Sequence, residues 1–175
     1  MANFVPLLFV DHFDLTASLP RQIGLFDHGM PRILPVWIPR KGTEEADEDM
    51  VWHPGAAKWV QLKSFLTRLK REAERLTGPI DLGRCYLEML DPGMTLPWTT
   101  ESGPYIERFT RTHLALRTNP AALMVSGSEA ASLGPGWLTA VNPQVPCTAI
   151  NLGQHPRVHL VVDFRKKDVA DGQDR

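Results

Sequence analysis

The sequence predicts a mainly β domain, a sandwich or barrel with supporting helices. Three observations predict it. From Arg84 onward, short apolar or alternating runs are divided by turn signals, the pattern of many short strands. Fifteen prolines and thirteen glycines supply more turns than a helical bundle uses. One stretch, Pro54 to Leu76, carries a sustained three- and four-residue apolar step. The 175 residues suffice for one compact domain, and 43% apolar against 22% charged residues is ordinary for a globular protein. The expected division is a single domain over 1–164, with N-terminal strands, an acidic loop and a helix over 1–80, and a β core over 81–164. Residues 165–175 are polar, contain Gly172, and are expected to form a flexible tail.

Phe4 to Phe9 reads as a strand, followed by a turn or short helix with Thr16 or Ser18 available as a cap. His12-Phe13-Asp14 is a literal H-x-D, but no distal histidine accompanies it, and it reads as a structural histidine near a turn. Arg32 to Ile38 is a strand that Pro35 confines to an edge or a bulge. Residues 40–50 form a charged loop in which Glu44, Glu45, Asp47, Glu48 and Asp49 crowd together. Such density reads as a solvated segment, with a lid or a divalent-cation site as the functional alternative.

Pro54 to Leu76 is the predicted helix. Trp59, Leu62, Phe65, Leu66, Leu69, Ala73 and Leu76 form its stripe, and Gly78-Pro79 ends it. Arg84 to Leu90 follows as a strand, with Tyr86, Glu88 and Leu90 on one face and a buried Cys85 on the other. Asp91-Pro92-Gly93 is a turn. Further strands are expected at Leu96 to Thr100, Thr110 to Thr118, Ala122 to Gly127, Trp137 to Val141, Cys147 to Leu152 and Arg157 to Phe164. Glu101 to Phe109 is a loop, and Gly134-Pro135-Gly136 a tight turn.

Function classes narrow next. A net charge of −1 gives no reason to expect nucleic acid or a membrane surface as partner. Cys85 and Cys147 do not make a disulfide framework, so a reducing cytoplasm is expected. The opening MANFVPLLFV has no basic n-region, is broken by Pro6, and reads as neither signal peptide nor membrane span. Oligomeric state is not legible.

Two motifs carry the chemistry. Arg111-x-His113 lies in TRTHLALRT, and Arg157-x-His159 in RVHLVVDF. In a strand, residues i and i+2 share a face, so each arginine shares one with its histidine. If both faces line one cavity, it suits a carboxylate or phosphate held bidentately. The alternative is a pair of surface ladders with cross-strand acidic partners.

The stretch from Asp91 to Phe164 resembles the catalytic half of the aspartyl/asparaginyl β-hydroxylases, iron(II)- and 2-oxoglutarate-dependent oxygenases on a double-stranded β-helix. The matching features are Pro92-Gly93, Leu96-Pro97, the RxHL strand from Arg111 to Leu114, Thr118-Asn119-Pro120, Gly134 to Trp137, Asn151-x-Gly153 and a terminal RxHLxxD from Arg157 to Asp163. Their order and approximate spacing hold over about seventy residues. The resemblance implies a cupin-like jelly roll, which agrees with the sandwich or barrel read from the strand pattern. It also implies that Arg111, Arg157 and His113 match the family's grip on the 2-oxoglutarate carboxylate.

The same resemblance places one iron-binding histidine six residues after the glycine of the Pro-Gly turn, and the other ten residues before the last strand's arginine. Those positions hold Thr99 and Cys147, and Glu101 stands where a carboxylate ligand would sit. Open-site non-haem iron uses about two histidines and one carboxylate, so no metal is expected. Cys147 beside His113 or His159 is a candidate nucleophile. Glu101 and His113 are candidate acids or bases, and Trp98 a candidate pocket wall. Three functions remain open. The one carried forward is a metal-independent, cofactor-free enzyme performing a cyclisation, isomerisation, elimination or hydrolysis on a small carboxylate- or carbonyl-bearing substrate, bound by Arg111, Arg157, His113, His159, Trp98 and Thr99. The others are an Fe(II)/2-oxoglutarate dioxygenase with Glu101 and Cys147 plus His113 or His159 as ligands, and a non-catalytic protein that binds a small carboxylate.

Overall fold

The computed structural model describes residues 2–11, 32–39, 50–54, 56 and 60–167. His12-Phe13-Asp14, the loop over 40–49 and most of the tail lie outside them. The strands are β1 (Phe4–Phe9), β2 (Arg32–Pro39), β3 (Met50–Trp52), β4 (Ile80–Leu90), β5 (Thr110–Arg117), β6 (Ala122–Ser126), β7 (Glu129–Ala131), β8 (Trp137–Val141), β9 (Cys147–Asn151) and β10 (Arg157–Lys166). Helices α1 (Val60–Thr77) and α2 (Pro104–Arg108) flank β4 and β5. All pairings are antiparallel, in a large sheet ordered β1-β8-β5-β10-β4-β2-β3 and a small one ordered β7-β6-β9.

The large sheet has two chemically different faces because its central strands alternate. Val158, Leu160 and Val162 of β10, with Leu114 and Leu116 of β5 and Cys85 and Leu87 of β4, join the apolar cluster that α1 covers. Leu62, Phe65, Leu66 and Leu69 are the buried stripe of α1. Each such side chain contributes about 1.5–3 kcal/mol on leaving water. The opposite face carries Arg157, His159 and Asp163 of β10, Arg111 and His113 of β5, and Glu88 of β4, all buried. A second apolar cluster, with Leu90, Ala115, Met124, Val141 and Ala149, joins that face to the small sheet.

Several sequence expectations are corrected. Described helix begins at Val60, and Pro54 sits in a turn closed by the Ala56 N–H on the His53 carbonyl at 2.9 Å. Leu76 is exposed and is not part of the buried stripe. β4 starts at Ile80 rather than Arg84, and β10 continues two residues beyond Phe164. Residues 96–100 form no continuous strand. Thr95 bridges Ile150 and Thr99 bridges Cys147, but Pro97 between them has no N–H to give. The loop Glu101 to Phe109 contains α2, and β7 is too short to show as a pattern. Pro35 fits as expected: β3 pairs only with Trp37, Ile38 and Pro39, and the β2–β4 register shifts between Pro35 and Trp37.

Two glycines are required by geometry. Gly93, at φ +79°, turns the chain after β4 and donates to the Asn151 carbonyl at 2.7 Å. Gly83 lets α2 lie on β4, since a Cβ there would collide with Tyr105 Oη and the Phe109 ring. Those two rings stack with centroids 4.4 Å apart, and the Arg84 N–H donates to Tyr105 Oη at 2.7 Å. Gly83→Ala is therefore expected to destabilise the fold by about 1–3 kcal/mol through overpacking. A lowered urea midpoint with unchanged far-ultraviolet circular dichroism is the expected readout, and an unchanged midpoint would contradict the close approach.

Candidate active site

A cavity of about 80 Å³ opens between the polar face of the large sheet and the small sheet. Tyr86 and Glu88 of β4, Arg111 and His113 of β5, and Cys147, Thr148 and Ala149 of β9 form much of its wall, with Thr99 and Glu101 from the segment after Gly93. Thr99 and Cys147 face each other: each N–H donates to the other's carbonyl, at 2.9 and 2.8 Å. Glu101 follows two residues on, and its N–H donates to the Pro143 carbonyl at 2.8 Å.

The two RxH motifs do lie on one face, because β5 and β10 are neighbours with Arg111 opposite Asp163 and His159 opposite Ala115. Their arginines are already engaged. Arg111 makes a two-pronged pair with Asp163, Nε to Oδ1 at 2.9 Å and Nη2 to Oδ2 at 3.0 Å, and its Nη1 donates to Glu101 Oε1. Arg157, 1% exposed, donates through Nη1 to Glu88 Oε1 at 2.7 Å, and its Nη2 meets His159 Nδ1 at 2.9 Å. His159 Nδ1 in turn lies 3.4 Å from His113 Nδ1. Among the described residues, the Nε2 of His159 is buried without a partner. Tyr105 Oη donates to Asp163 Oδ2 at 3.0 Å, tying α2 to the cluster.

Five of the expected site residues, Thr99, Glu101, Arg111, His113 and Cys147, thus line one cavity. Three do not. Arg157 and His159 are buried beneath the wall rather than in it. Trp98 is 60% exposed and does not line the cavity. The surface-ladder alternative erred in burial: the acidic partners exist, but inside. Asp163 and Glu88 were missed as partners. The D of RxHLxxD and the shared face of Tyr86, Glu88 and Leu90 were the available signals. Cys147 Sγ lies 3.2 Å from the Asn142 and Val145 carbonyls and 3.4 Å from Ser126 Oγ, and no histidine is among its hydrogen-bond partners. Among the described residues, a nucleophilic Cys147 therefore has no base hydrogen-bonded to it.

Burial, together with the charge of Arg157, holds both His113 and His159 well below the ordinary histidine range, with Arg111 adding to the effect on His113. Burial also pushes the Tyr86 hydroxyl and the Cys85 thiol above their usual values. Burial opposes the charge on Arg111, but the Asp163 hydrogen bonds and charge outweigh it, and the guanidinium is held charged more firmly than usual.

A jelly roll with a polar cavity between its sheets is the architecture of the 2-oxoglutarate oxygenases and cupins. Residues 38–167 match the Aspartyl/Asparaginyl beta-hydroxylase family, and the chain belongs to it. No curated protein matches the sequence significantly. Among solved structures, the fold is similar to an oxidoreductase of the 2OG-Fe(II) oxygenase family from Burkholderia pseudomallei (TM-score 0.62, 12% identity, 95% of this chain and 86% of that one). It is similar to AviO1 from Streptomyces viridochromogenes (0.61, 16%, 96% and 90%). It also resembles a viral collagen prolyl hydroxylase from Paramecium Bursaria Chlorella virus-1 (0.58, 6%, 95% and 97%). At these identities the likeness concerns the fold.

The family's group is iron with 2-oxoglutarate, and the residues present do not fit it. Where the resemblance places two imidazoles stand a hydroxyl and a sulfur turned toward two carbonyl oxygens. Glu101, the remaining carboxylate, is engaged by Arg111. That donor set is not two histidines and a carboxylate. The two arginines that would grip 2-oxoglutarate are matched by Asp163, Glu101 and Glu88 of the chain itself.

Two outcomes follow from the buried charges. Asp163→Ala leaves the Arg111 guanidinium buried beside a half-exposed partner, and a loss of about 3–5 kcal/mol in chemical denaturation is expected. Glu101→Gln, at a side chain 36% exposed, is expected to cost less than about 1 kcal/mol. The histidines set a pH dependence. Both are neutral when folded and bind a proton near pH 6.5 when unfolded, so the unfolded state gains protons as pH falls. Stability is expected to drop from pH 6.5 to 5 with a slope approaching about 1.4 kcal/mol per pH unit for each histidine, and His113→Asn should roughly halve it. A flat stability profile over that window would contradict neutral burial.

Proposed function

We propose that this protein works in the family's cavity without the family's iron, as a metal-independent enzyme moving protons on a small substrate. The observation that carries this reading is the facing pair Thr99 and Cys147, which puts a hydroxyl and a carbonyl-bound thiol where the family resemblance places its histidines. Family membership supports the use of the cavity itself. His113, neutral and lining the cavity, is the proton acceptor. Glu101, partly exposed and tied to Arg111, is the second acid–base group. Tyr86 and Thr148 add hydroxyl groups to the wall that orient a polar substrate. Isomerisation, elimination or cyclisation needs only such transfers between positioned groups. A carboxylate substrate gripped by both arginines is not part of this reading, since Arg157 lies outside the cavity wall and both arginines are already paired.

Elemental analysis of untagged protein, before and after anaerobic Fe(II) addition, tests it alongside 2-oxoglutarate turnover. No stoichiometric iron and no succinate are expected. Thr99→His combined with Cys147→His should create an Fe(II) or Co(II) site with Glu101, visible as bound metal and, for cobalt, as a ligand-field absorption. Chelator-treated wild type is expected to convert a component of a metabolite extract, and His113→Asn to abolish that conversion. One equivalent of iron with succinate formation in the wild type would overturn the proposal.

A further inference from the structure

The polar groups behind the cavity form one directed chain. Glu88 Oε1 accepts from Arg157 Nη1, and Arg157 Nη2 meets His159 Nδ1. A guanidinium has donors only, so His159 Nδ1 accepts and its ring proton sits on Nε2. His113 Nδ1 approaches that same proton-free atom. A hydrogen bond there, at 3.4 Å and shared with Arg157, has His113 Nδ1 as its donor and so the ring proton of His113 on Nδ1. That tautomer leaves His113 Nε2 as a bare acceptor, on a ring that is 4% exposed and lines the cavity. Among the described residues, the bond through Nδ1 is the one hydrogen bond of His113.

The ionised groups point the same way. Among the described residues, Arg111 is set against Asp163 and Glu101, and Arg157 against Glu88. Three carboxylates meet two guanidiniums, an excess of one negative charge. A ligand carboxylate would add a second in a low-dielectric site, whereas a cation cancels the first. In that tautomer Nε2 of His113 takes a donor, and the carboxylate of Glu101, which accepts from Arg111 through Oε1, has a second oxygen to offer. A cavity of about 80 Å³ holds on the order of five waters' worth of space, enough for one small head group.

We infer that the cavity takes the cationic head group of a small molecule, an ammonium or amidinium, held between the Glu101 carboxylate and Nε2 of His113. The assignment rests on the metal-free reading above, because a metal ion bound at Glu101 would supply the missing positive charge itself. It names the substrate class for that reading: an amine- or amidine-bearing molecule whose remainder extends toward the cavity mouth.

The test is long-range 15N–1H NMR on histidine-labelled, chelator-treated full-length protein. Without ligand, His113 should show the Nδ1–H tautomer, and an Nε2–H signal would overturn the inference. Titration with acetamidinium or propylammonium chloride should shift His113 Nε2 saturably, against sodium chloride at equal ionic strength. Glu101→Gln should weaken that binding about tenfold, as loss of a charge-assisted contact does. Saturable 2-oxoglutarate binding with no cation response, or cation binding indifferent to Glu101→Gln, would overturn the cation assignment. Stoichiometric Fe(II) binding with the amidinium still saturating would instead overturn the metal-free reading alone.

Discussion

Two guanidinium groups sit inside this protein, and no water is available to solvate most of their surface. Each must find its counter-charge within the chain or the fold does not close. Arg157 finds Glu88 on one neighbouring strand, and Arg111 finds Asp163 on another. These pairs span β4, β10 and β5, the three central strands of the large sheet. They therefore fix register as well as charge. Slipping β10 by one residue would carry Arg157, His159 and Asp163 to the face that α1 covers with Leu62, Phe65 and Leu69. A charged face and an apolar face on the same strand leave one pairing that satisfies both.

That constraint also determines what the cavity can offer. Once Arg111 and Arg157 are spent on internal carboxylates, the wall presents acceptors where a count of arginines would suggest donors. The histidines sharpen the effect. Arg157 dictates which nitrogen of His159 carries the proton, and a hydrogen bond to that bare nitrogen makes His113 Nδ1 the donor. A residue outside the cavity wall thus sets the chemistry of one inside it. Burial keeps both rings neutral, so the chain of tautomers persists at ordinary pH.

Much of this was legible in the sequence, and the failures have physical causes. The alternation in TRTHLALRT and RVHLVVDF placed each arginine with its histidine, because strand geometry has period two. The helix stripe and the turns at Gly93 and Gly136 were legible for equally local reasons. Partnership was not. Glu88 lies 69 residues from Arg157, and Asp163 lies 52 from Arg111, separations that strand order alone bridges. Depth was not legible either: Arg111 and Arg157 look alike in sequence, yet one lines the cavity and the other lies behind it. Trp98 is next to a wall residue in sequence, but adjacency does not place a side chain in the cavity, and it is 60% exposed.

The facing pair Thr99 and Cys147 shows why the scaffold tolerates such residues at these positions. The segment after Gly93 is fastened to β9 by backbone hydrogen bonds, Leu96 N–H to Ala149 carbonyl at 2.8 Å and the reciprocal Thr99–Cys147 pair. Thr148 Oγ1 adds a bond to the Leu96 carbonyl at 2.6 Å. None of these bonds passes through the side chains of Thr99 or Cys147. The cavity wall is thus held by main chain and by Thr148, and the identity of the residues at 99 and 147 is free to change without releasing the segment. Geometry and chemistry are decoupled there, so the same jelly roll can carry a different reaction. The buried pairs lack that freedom, because replacing one member strands the other. Substitution at 99 and 147 is therefore compatible with the fold, while the members of Arg111–Asp163 and Arg157–Glu88 fix each other.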